Sequence, residues 1–236
     1  MNSGDEQHRL IIFDMDRTLI DISHVYVKAY RVAVREVYGI EGEPDFQRAP
    51  GHTQSNIIRM ICRDRGVSDE SIEAGLAQAL AVLSSTTISL LDDDLRSGIL
   101  PGAEQLLQAL TCRGHALILV TGTVREITTV VLSRTGLDRF FPVCVCGDEA
   151  DRRVELVQLA VRRARVLFGL DAAPGNLVVV GDAPRDIEAG KAVGARAVGV
   201  ATGHHNADVL AACEADVVLP DFRDAQTAVA AVLGER

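Results

Sequence analysis

No apolar stretch in this 236-residue chain approaches the length of a membrane span, and its opening residues, MNSGDEQHR, lack the apolar run of a signal peptide. Both absences lead to the expectation of a cytoplasmic protein with no membrane partner. Positive charge is also short: 24 Lys and Arg stand against 33 Asp and Glu, a formal net charge of -9. Such a surface would repel a polyanion, which argues against a nucleic-acid partner. An anionic small molecule is still admissible where local positive groups or a cation overcome the field. The five cysteines (Cys62, Cys112, Cys144, Cys146 and Cys213) are an odd number, scattered, and Cys144 and Cys146 form C-x-C rather than the C-x-x-C of a zinc site. They are expected to be free thiols. Aromatics are few, at 4%, and neither an internal repeat nor a low-complexity segment is present. What is there, 47% apolar and 24% charged residues, is the composition of a globular protein able to bury a sizeable core.

Apolar, β-rich runs alternate with helical stretches through most of the chain. Strands are expected at Leu10–Phe13, Ala116–Val120, Val143–Cys146, Leu177–Val180, Ala197–Val200 and Val217–Leu219. Helical periodicity covers Gly102–Arg113, Arg125–Thr135, Val154–Phe168 and Asp186–Val193. Continuous apolar strands, each followed by a helix, indicate an α/β fold with a parallel sheet covered on both faces. From about Ile20 to Gly98 the alternation stops and only helical patterns occur, at Val25–Val37, Ser55–Arg65 and Asp69–Leu83. The expected organisation is therefore a core of residues 1–19 and 99–236 with a small helical cap of residues 20–98 inserted after the first strand.

In a doubly wound sheet, ligands bind beyond the carboxyl ends of the strands. There the chain carries Asp14 and Asp16, then Thr121-Gly122, then Gly181-Asp182 with Asp186 one helical turn further on. Two carboxylates two residues apart on extended chain project the same way, and like charges that close call for a shared cation. A hard divalent ion such as Mg²⁺ suits oxygen ligands and leaves room for substrate phosphate. A hydroxyl and a backbone N–H at a strand-to-helix turn, Thr121-Gly122, suit a phosphate oxygen. Each feature also has an ordinary explanation: a cap for Asp182 and Asp186, a simple turn for Thr121, a solvated face for Arg152 and Arg153. Gly147-Asp148, with Asp151 beyond, is a competing acidic turn after a less apolar strand.

Taken together and in this order, the segments resemble the haloacid dehalogenase superfamily, in the subgroup with a helical cap after the first motif (phosphoglycolate phosphatase-like). Asp14–Leu19 (DMDRTL) resembles the nucleophile motif, Thr121 the hydroxyl motif, and Asp182 with Asp186 the acidic metal motif. Gly147-Asp148 resembles the turn before the family's basic residue. The resemblance runs from Leu10 to about Leu219 and implies a Rossmann-like core and a Mg²⁺-dependent phosphatase for a small phosphorylated metabolite. It implies Asp14 as nucleophile and metal ligand. Asp16 would be general acid and then base, with its carbonyl on the ion. Thr121 and the Gly122 amide would hold phosphate, and Asp182 would complete the metal shell with Asp186 behind it.

Two positions depart from the pattern. Arg17 stands where the family often has glycine, and its side chain is expected to be accommodated by backbone at negative φ. The family's basic residue is usually lysine followed by proline, and Arg152-Arg153-Val154 offers neither; Arg153 is the expected phosphate ligand because it sits better against the helix that follows. Asp16 disfavours dehalogenation, since a departing halide needs no proton. A sugar-phosphate mutase with the same machinery, and a non-catalytic phosphate-binding or receiver-like module, are the alternatives. In the cap, Arg48 and the loop Gly51-His52-Thr53-Gln54 are candidates to face the site, while His204-His205 is expected to be ordinary loop rather than a metal site.

Overall fold

The computed structural model describes residues 8–45, 47–169 and 175–235. Among these residues six strands are present: β1 (Leu10–Phe13), β2 (Ala116–Val120), β3 (Cys144–Val145), β4 (Leu177–Gly181), β5 (Arg196–Val200) and β6 (Val217–Leu219). They form one parallel sheet in the order β3-β2-β1-β4-β5-β6. The fold is a doubly wound, Rossmann-like α/β sheet. The side-chain period of two explains why its strands are apolar throughout. Ile11, Phe13, Leu119 and Val180 point into one core layer, while Leu10, Ile12, Val120 and Val179 point into the other. Each such aliphatic side chain, when fully buried, contributes about 1.5–3 kcal/mol. The expected strand at Val143–Cys146 is shorter than its apolar run: only Cys144–Val145 pairs with β2, at the sheet edge.

Among the described residues, three α-helices lie between β1 and the next core helix: α1 (Ser23–Tyr38), α2 (Gln54–Asp64) and α3 (Asp69–Leu90). Thr53 caps α2 and Ser68 caps α3, each side chain accepting a backbone N–H of the first turn. Helix α3 continues past the expected end at Leu83 because Ser84 and Thr87 turn inward and are buried. The chain enters and leaves this helical segment side by side. Asp21 N–H donates to Gly98 O at 2.9 Å, and Leu100 N–H to Leu19 O at 2.9 Å.

The remaining helices are α4 (Ala103–Cys112), α5 (Arg125–Thr135), α6 (Arg153–Phe168), α7 (Pro184–Ala192), α8 (Ala207–Ala212) and α9 (Ala225–Leu233). Helices α4, α5 and α9 cover one face of the sheet and α6 and α7 the other. Strand β1 pairs with β2 on one side and β4 on the other, so successive crossovers diverge there. A crevice opens at such a switch point, beyond the carboxyl ends of β1 and β4. Among the described residues, no helix is long and apolar enough to cross a membrane.

Candidate active site

Asp14 follows β1, and its N–H donates to Val180 O of β4 at 2.9 Å, so the sheet ladder itself sets its position. Asp182 follows β4. Asp186 lies in the first turn of α7, where its Oδ2 accepts the Ala183 N–H at 3.1 Å and closes the helix start. Carboxylate oxygens of Asp14, Asp182 and Asp186 come within 4.8 Å of one another, and the three residues are 4%, 4% and 2% exposed. Thr18 Oγ1 donates to Asp182 Oδ1 at 3.3 Å, tying the loop after β1 to the loop after β4.

Arg153, the first residue of α6, supplies a buried cation to this group. Its Nη2 donates to Asp14 Oδ1 at 2.7 Å and its Nη1 to Val120 O at 3.0 Å. Its Nε lies 3.1 Å from Asp186 Oδ1 as an ion pair without the alignment of a hydrogen bond. Arg152 instead turns outward, with its side chain 72% exposed, next to Glu155.

One guanidinium among several buried carboxylates leaves an excess of negative charge. Burial holds the Asp14 carboxyl well above the usual range; Arg153 pulls it back, and Asp186, Asp182 and Asp16 raise it further. Burial, with the neighbouring Asp186 next, pushes Asp182 up to about 8. Burial likewise raises Asp186, against the pull of Arg153. A cluster of this kind suits a hard divalent cation, whose charge would favour the ionised carboxylates that the protein alone disfavours.

Asp16 is held differently. Its Oδ2 accepts Thr123 Oγ1–H at 2.8 Å and, more loosely, Thr121 Oγ1–H at 3.5 Å. Tyr26 of α1 joins through its hydroxyl, 3.3 Å from Thr123 Oγ1. The other oxygen, Oδ1, is buried with no hydrogen-bond partner among the described residues. Burial raises this carboxyl too, against the Thr123 and Tyr26 hydrogen bonds. The Asp16 carboxylate stands outside the close trio of carboxylates. Any metal contact it makes would rest on its backbone carbonyl.

Arg17 corrects one expectation: its φ is +59°, not negative. The strained turn is fixed from both sides, with Arg17 N–H donating to Ile20 O at 2.7 Å and Thr202 Oγ1 donating to Arg17 O at 2.6 Å. Its side chain bonds Ser23 Oγ at 2.7 Å and pairs with Asp21 at 3.6 Å.

Above these groups lies a cavity of about 110 Å³ whose lining includes Asp14, Asp16, Arg17, Tyr26, His52 and Thr123. Helical-segment residues and sheet loops therefore share one cavity. Gly122 has a steric reason to be glycine: a Cβ there would fall 2.2 Å from His52 O. Gln54 bridges the same gap, its N–H donating to Gly122 O at 2.9 Å and its Oε1 accepting Val124 N–H at 3.1 Å. Burial lowers His52 to about 4, helped by Arg185 and Arg153, so it is neutral near pH 7. Arg48 does not line this cavity; it pairs with Asp64 at 2.8 Å. Gly147 packs on the turn after β2, its N–H donating to Thr123 O at 2.9 Å, while Asp148 Oδ1 accepts Arg125 N–H at 3.0 Å and belongs to no metal-ligand group among the described residues. His204 lines the cavity but belongs to no metal-ligand group among the described residues. Of the cap loop expected to face the site, Gly51, His52 and Gln54 line the cavity. Sequence reasoning missed Thr123 and Tyr26; the only signal for Thr123 was its place two residues after Thr121, and no motif marked Tyr26.

Residues 11–200 match the family profile described as haloacid dehalogenase-like hydrolase. The chain is 28% identical to a probable phosphatase (IndB) of Dickeya dadantii, over 95% of this chain and 94% of that one. It is 26% identical to a phosphoglycolate phosphatase of Neisseria gonorrhoeae, over 94% of this chain and 91% of that one. Among solved structures, a β-phosphoglucomutase from Clostridium difficile superposes with a TM-score of 0.74 at 19% identity, covering 92% of each chain.

Proposed function

The chain belongs to the haloacid dehalogenase-like hydrolase family and is a phosphoric monoester hydrolase; from that premise we propose that it dephosphorylates a small phosphorylated metabolite through an aspartyl-phosphate on Asp14. The observation that carries this reading is the convergence of Asp14, Asp182, Asp186 and Arg153, together with an Asp16 oxygen that has no hydrogen-bond partner among the described residues. Asp14, the Asp16 carbonyl and Asp182 would hold Mg²⁺, with Asp186 fixing Arg153 and the start of α7. When bound, that ion neutralises charge on the carboxylates and on the phosphoryl oxygens.

In the first step the Asp14 carboxylate forms a bond to phosphorus as the bond to the leaving oxygen breaks. Asp16 gives its proton to that oxygen; its raised affinity for a proton suits the task. In the second step water attacks the phosphoryl group, Asp16 takes a proton from it, and the Asp14 carboxylate is regenerated. Arg153 presents two N–H groups to the equatorial oxygens, and Thr121 with the Gly122 amide binds the rest. Residues 20–98 would act as a cap that excludes water from the intermediate and selects the leaving group.

The direct test is hydrolysis of p-nitrophenyl phosphate by the purified protein. Turnover should require Mg²⁺, stop with a chelator and return on adding the ion back. Undiminished activity in chelator would overturn the metal assignment, and no hydrolysis of any phosphate ester would overturn the whole reading.

A further inference from the structure

Asp151 lies in the loop between β3 and α6, two positions before Arg153. Four side chains of α2 and its cap converge on it. The main-chain carbonyl accepts Thr53 Oγ1–H at 3.3 Å and Asn56 Nδ2–H at 2.6 Å. The carboxylate Oδ1 accepts Ser55 Oγ–H at 3.1 Å and Arg59 Nη1–H at 2.8 Å. Arg59 is itself set by α3: its Nε and Nη2 meet the two oxygens of Glu73 at 2.7 and 3.0 Å. The hydrogen bond from Arg59, ahead of a smaller burial effect, keeps Asp151 ionised. Charge-assisted bonds to a carboxylate are stronger than neutral ones, and four donors on one residue fix an orientation that a single surface pair would not.

The loop carrying Asp151 runs directly into α6, whose first residue is Arg153, bonded to Asp14. From the same end of α2, Gln54 grips Gly122 and Val124. One helix end therefore touches both loops that would hold the phosphate.

We propose that Asp151 is the catch on which the helical segment seats, and a positioning residue for Arg153, so that closure over the cavity and placement of the phosphate-binding arginine are a single event. For its link to catalysis the inference rests on the phosphohydrolase reading; for the catch itself it does not.

Amide hydrogen exchange tests the catch without any need for turnover. The Gln54 and Val124 amides are bonded across the gap and exchange only when α2 lifts. In Asp151→Ala, and separately in Arg59→Ala, both should exchange faster by roughly tenfold, a coupling of ordinary size. The β1 amides of Ile12 and Phe13 should be unchanged, which separates lifting of the segment from general loosening. Unchanged exchange at Gln54 and Val124 would overturn the proposal.

The link to Arg153 is tested by kcat/KM for p-nitrophenyl phosphate, which should fall by about tenfold in Asp151→Ala. Asp151→Asn keeps a side-chain oxygen for Ser55 and Arg59 that Asp151→Ala lacks, so it should recover part of the loss. The Asp151→Ala, Arg59→Ala double variant should be no worse than Asp151→Ala alone; additive losses would overturn the pairing. A wild-type protein that turns over no phosphate ester would defeat the phosphatase reading, and the exchange experiment would still decide the catch.

Discussion

Arg153 Nη2 lies 2.7 Å from Asp14 Oδ1, in a pair formed between residues 139 positions apart and almost wholly removed from water. The same guanidinium donates to Val120 O and is ion-paired with Asp186, so it meets two hydrogen-bond acceptors and a second carboxylate at once. A lysine ammonium on a flexible stem cannot reproduce that fork. Arg153→Lys should therefore lower kcat for an aryl phosphate by about 100-fold, as loss of an oriented transition-state donor does. Arg153→Ala should also destabilise the metal-free protein by about 3–5 kcal/mol, because it leaves buried carboxylates without their cation. Urea denaturation curves of wild type and variant in chelator measure the second effect. Equal stability would mean that the carboxylates find another way to neutralise.

Without a cation, Asp182 titrates near 8 instead of at its ordinary 3.8. The folded state then holds a proton more tightly than the unfolded chain. Stability from this group is fully present below about pH 4 and is lost as pH rises toward 8. Mg²⁺ binding favours the ionised carboxylate and so opposes the loss. The rise in Tm produced by Mg²⁺ should accordingly be larger at pH 8 than at pH 5, by calorimetry at matched ionic strength. A rise that shrinks with pH would exclude the carboxylate cluster as the metal site.

Strands were legible because β1, β2 and β4 are apolar on both faces, and the strand-end acids followed from them. Asp14, Thr121 and Asp182 each directly follow a strand, and Asp186 lies in the first turn of the helix after β4. Less legible was the tail of α3, where Ser-Ser-Thr-Thr favours helix weakly; buried contacts of Ser84 and Thr87 override that preference. Helices α8 and α9 were missed, being short, alanine-rich runs near the end of the chain. Tyr26 escaped notice, and Gln54 and Asp151 were noted without the contacts they make, for a different reason. Each acts through a contact between distant segments, and an isolated polar residue in a helix start or loop carries no periodic signal. The +59° φ of Arg17 had one signal, the glycine that the family often carries at that position, and the arginine in its place led to the opposite expectation.

Arg17→Gly separates the turn from the side chain. Glycine adopts positive φ without strain, a gain of about 1 kcal/mol, while the greater freedom of the unfolded chain opposes it by a similar amount. The lost pair with Asp21 is partly exposed and is worth about 0.2–1 kcal/mol at most. Thermal stability should thus change little. Removing a guanidinium from the wall beside Asp16 widens the cavity, so bulkier phosphate esters should gain in kcat/KM relative to p-nitrophenyl phosphate. An unchanged ratio would show that Arg17 does not bound the leaving-group space.

Asp14 and Asp16 stand two residues apart yet face different surroundings, and that difference makes their roles separable. Asp14 is bonded to Arg153 within the carboxylate cluster, where a phosphoryl group could be received. Asp16 is clamped by Thr123 on one oxygen, and its other oxygen has no hydrogen-bond partner among the described residues, which suits the proposed proton transfer. Asp14→Asn removes the attacking carboxylate, so turnover should vanish and no covalent phosphate should form. Asp16→Asn retains the attacking group and the backbone carbonyl at position 16 but can neither give nor accept the proton. With an aryl phosphate, whose leaving group departs without much help, the first step should still proceed. The second should stall, because the water has lost its base. Intact-mass measurement should then find one added phosphoryl group in Asp16→Asn, localised to Asp14, and none in Asp14→Asn. A receiver-like module would label at Asp14 with Asp16 intact and keep the label; a passive phosphate-binding domain would label in neither variant. Wild-type turnover by Asp14→Asn would remove Asp14 as nucleophile and leave the cluster with a structural or metal-holding role alone.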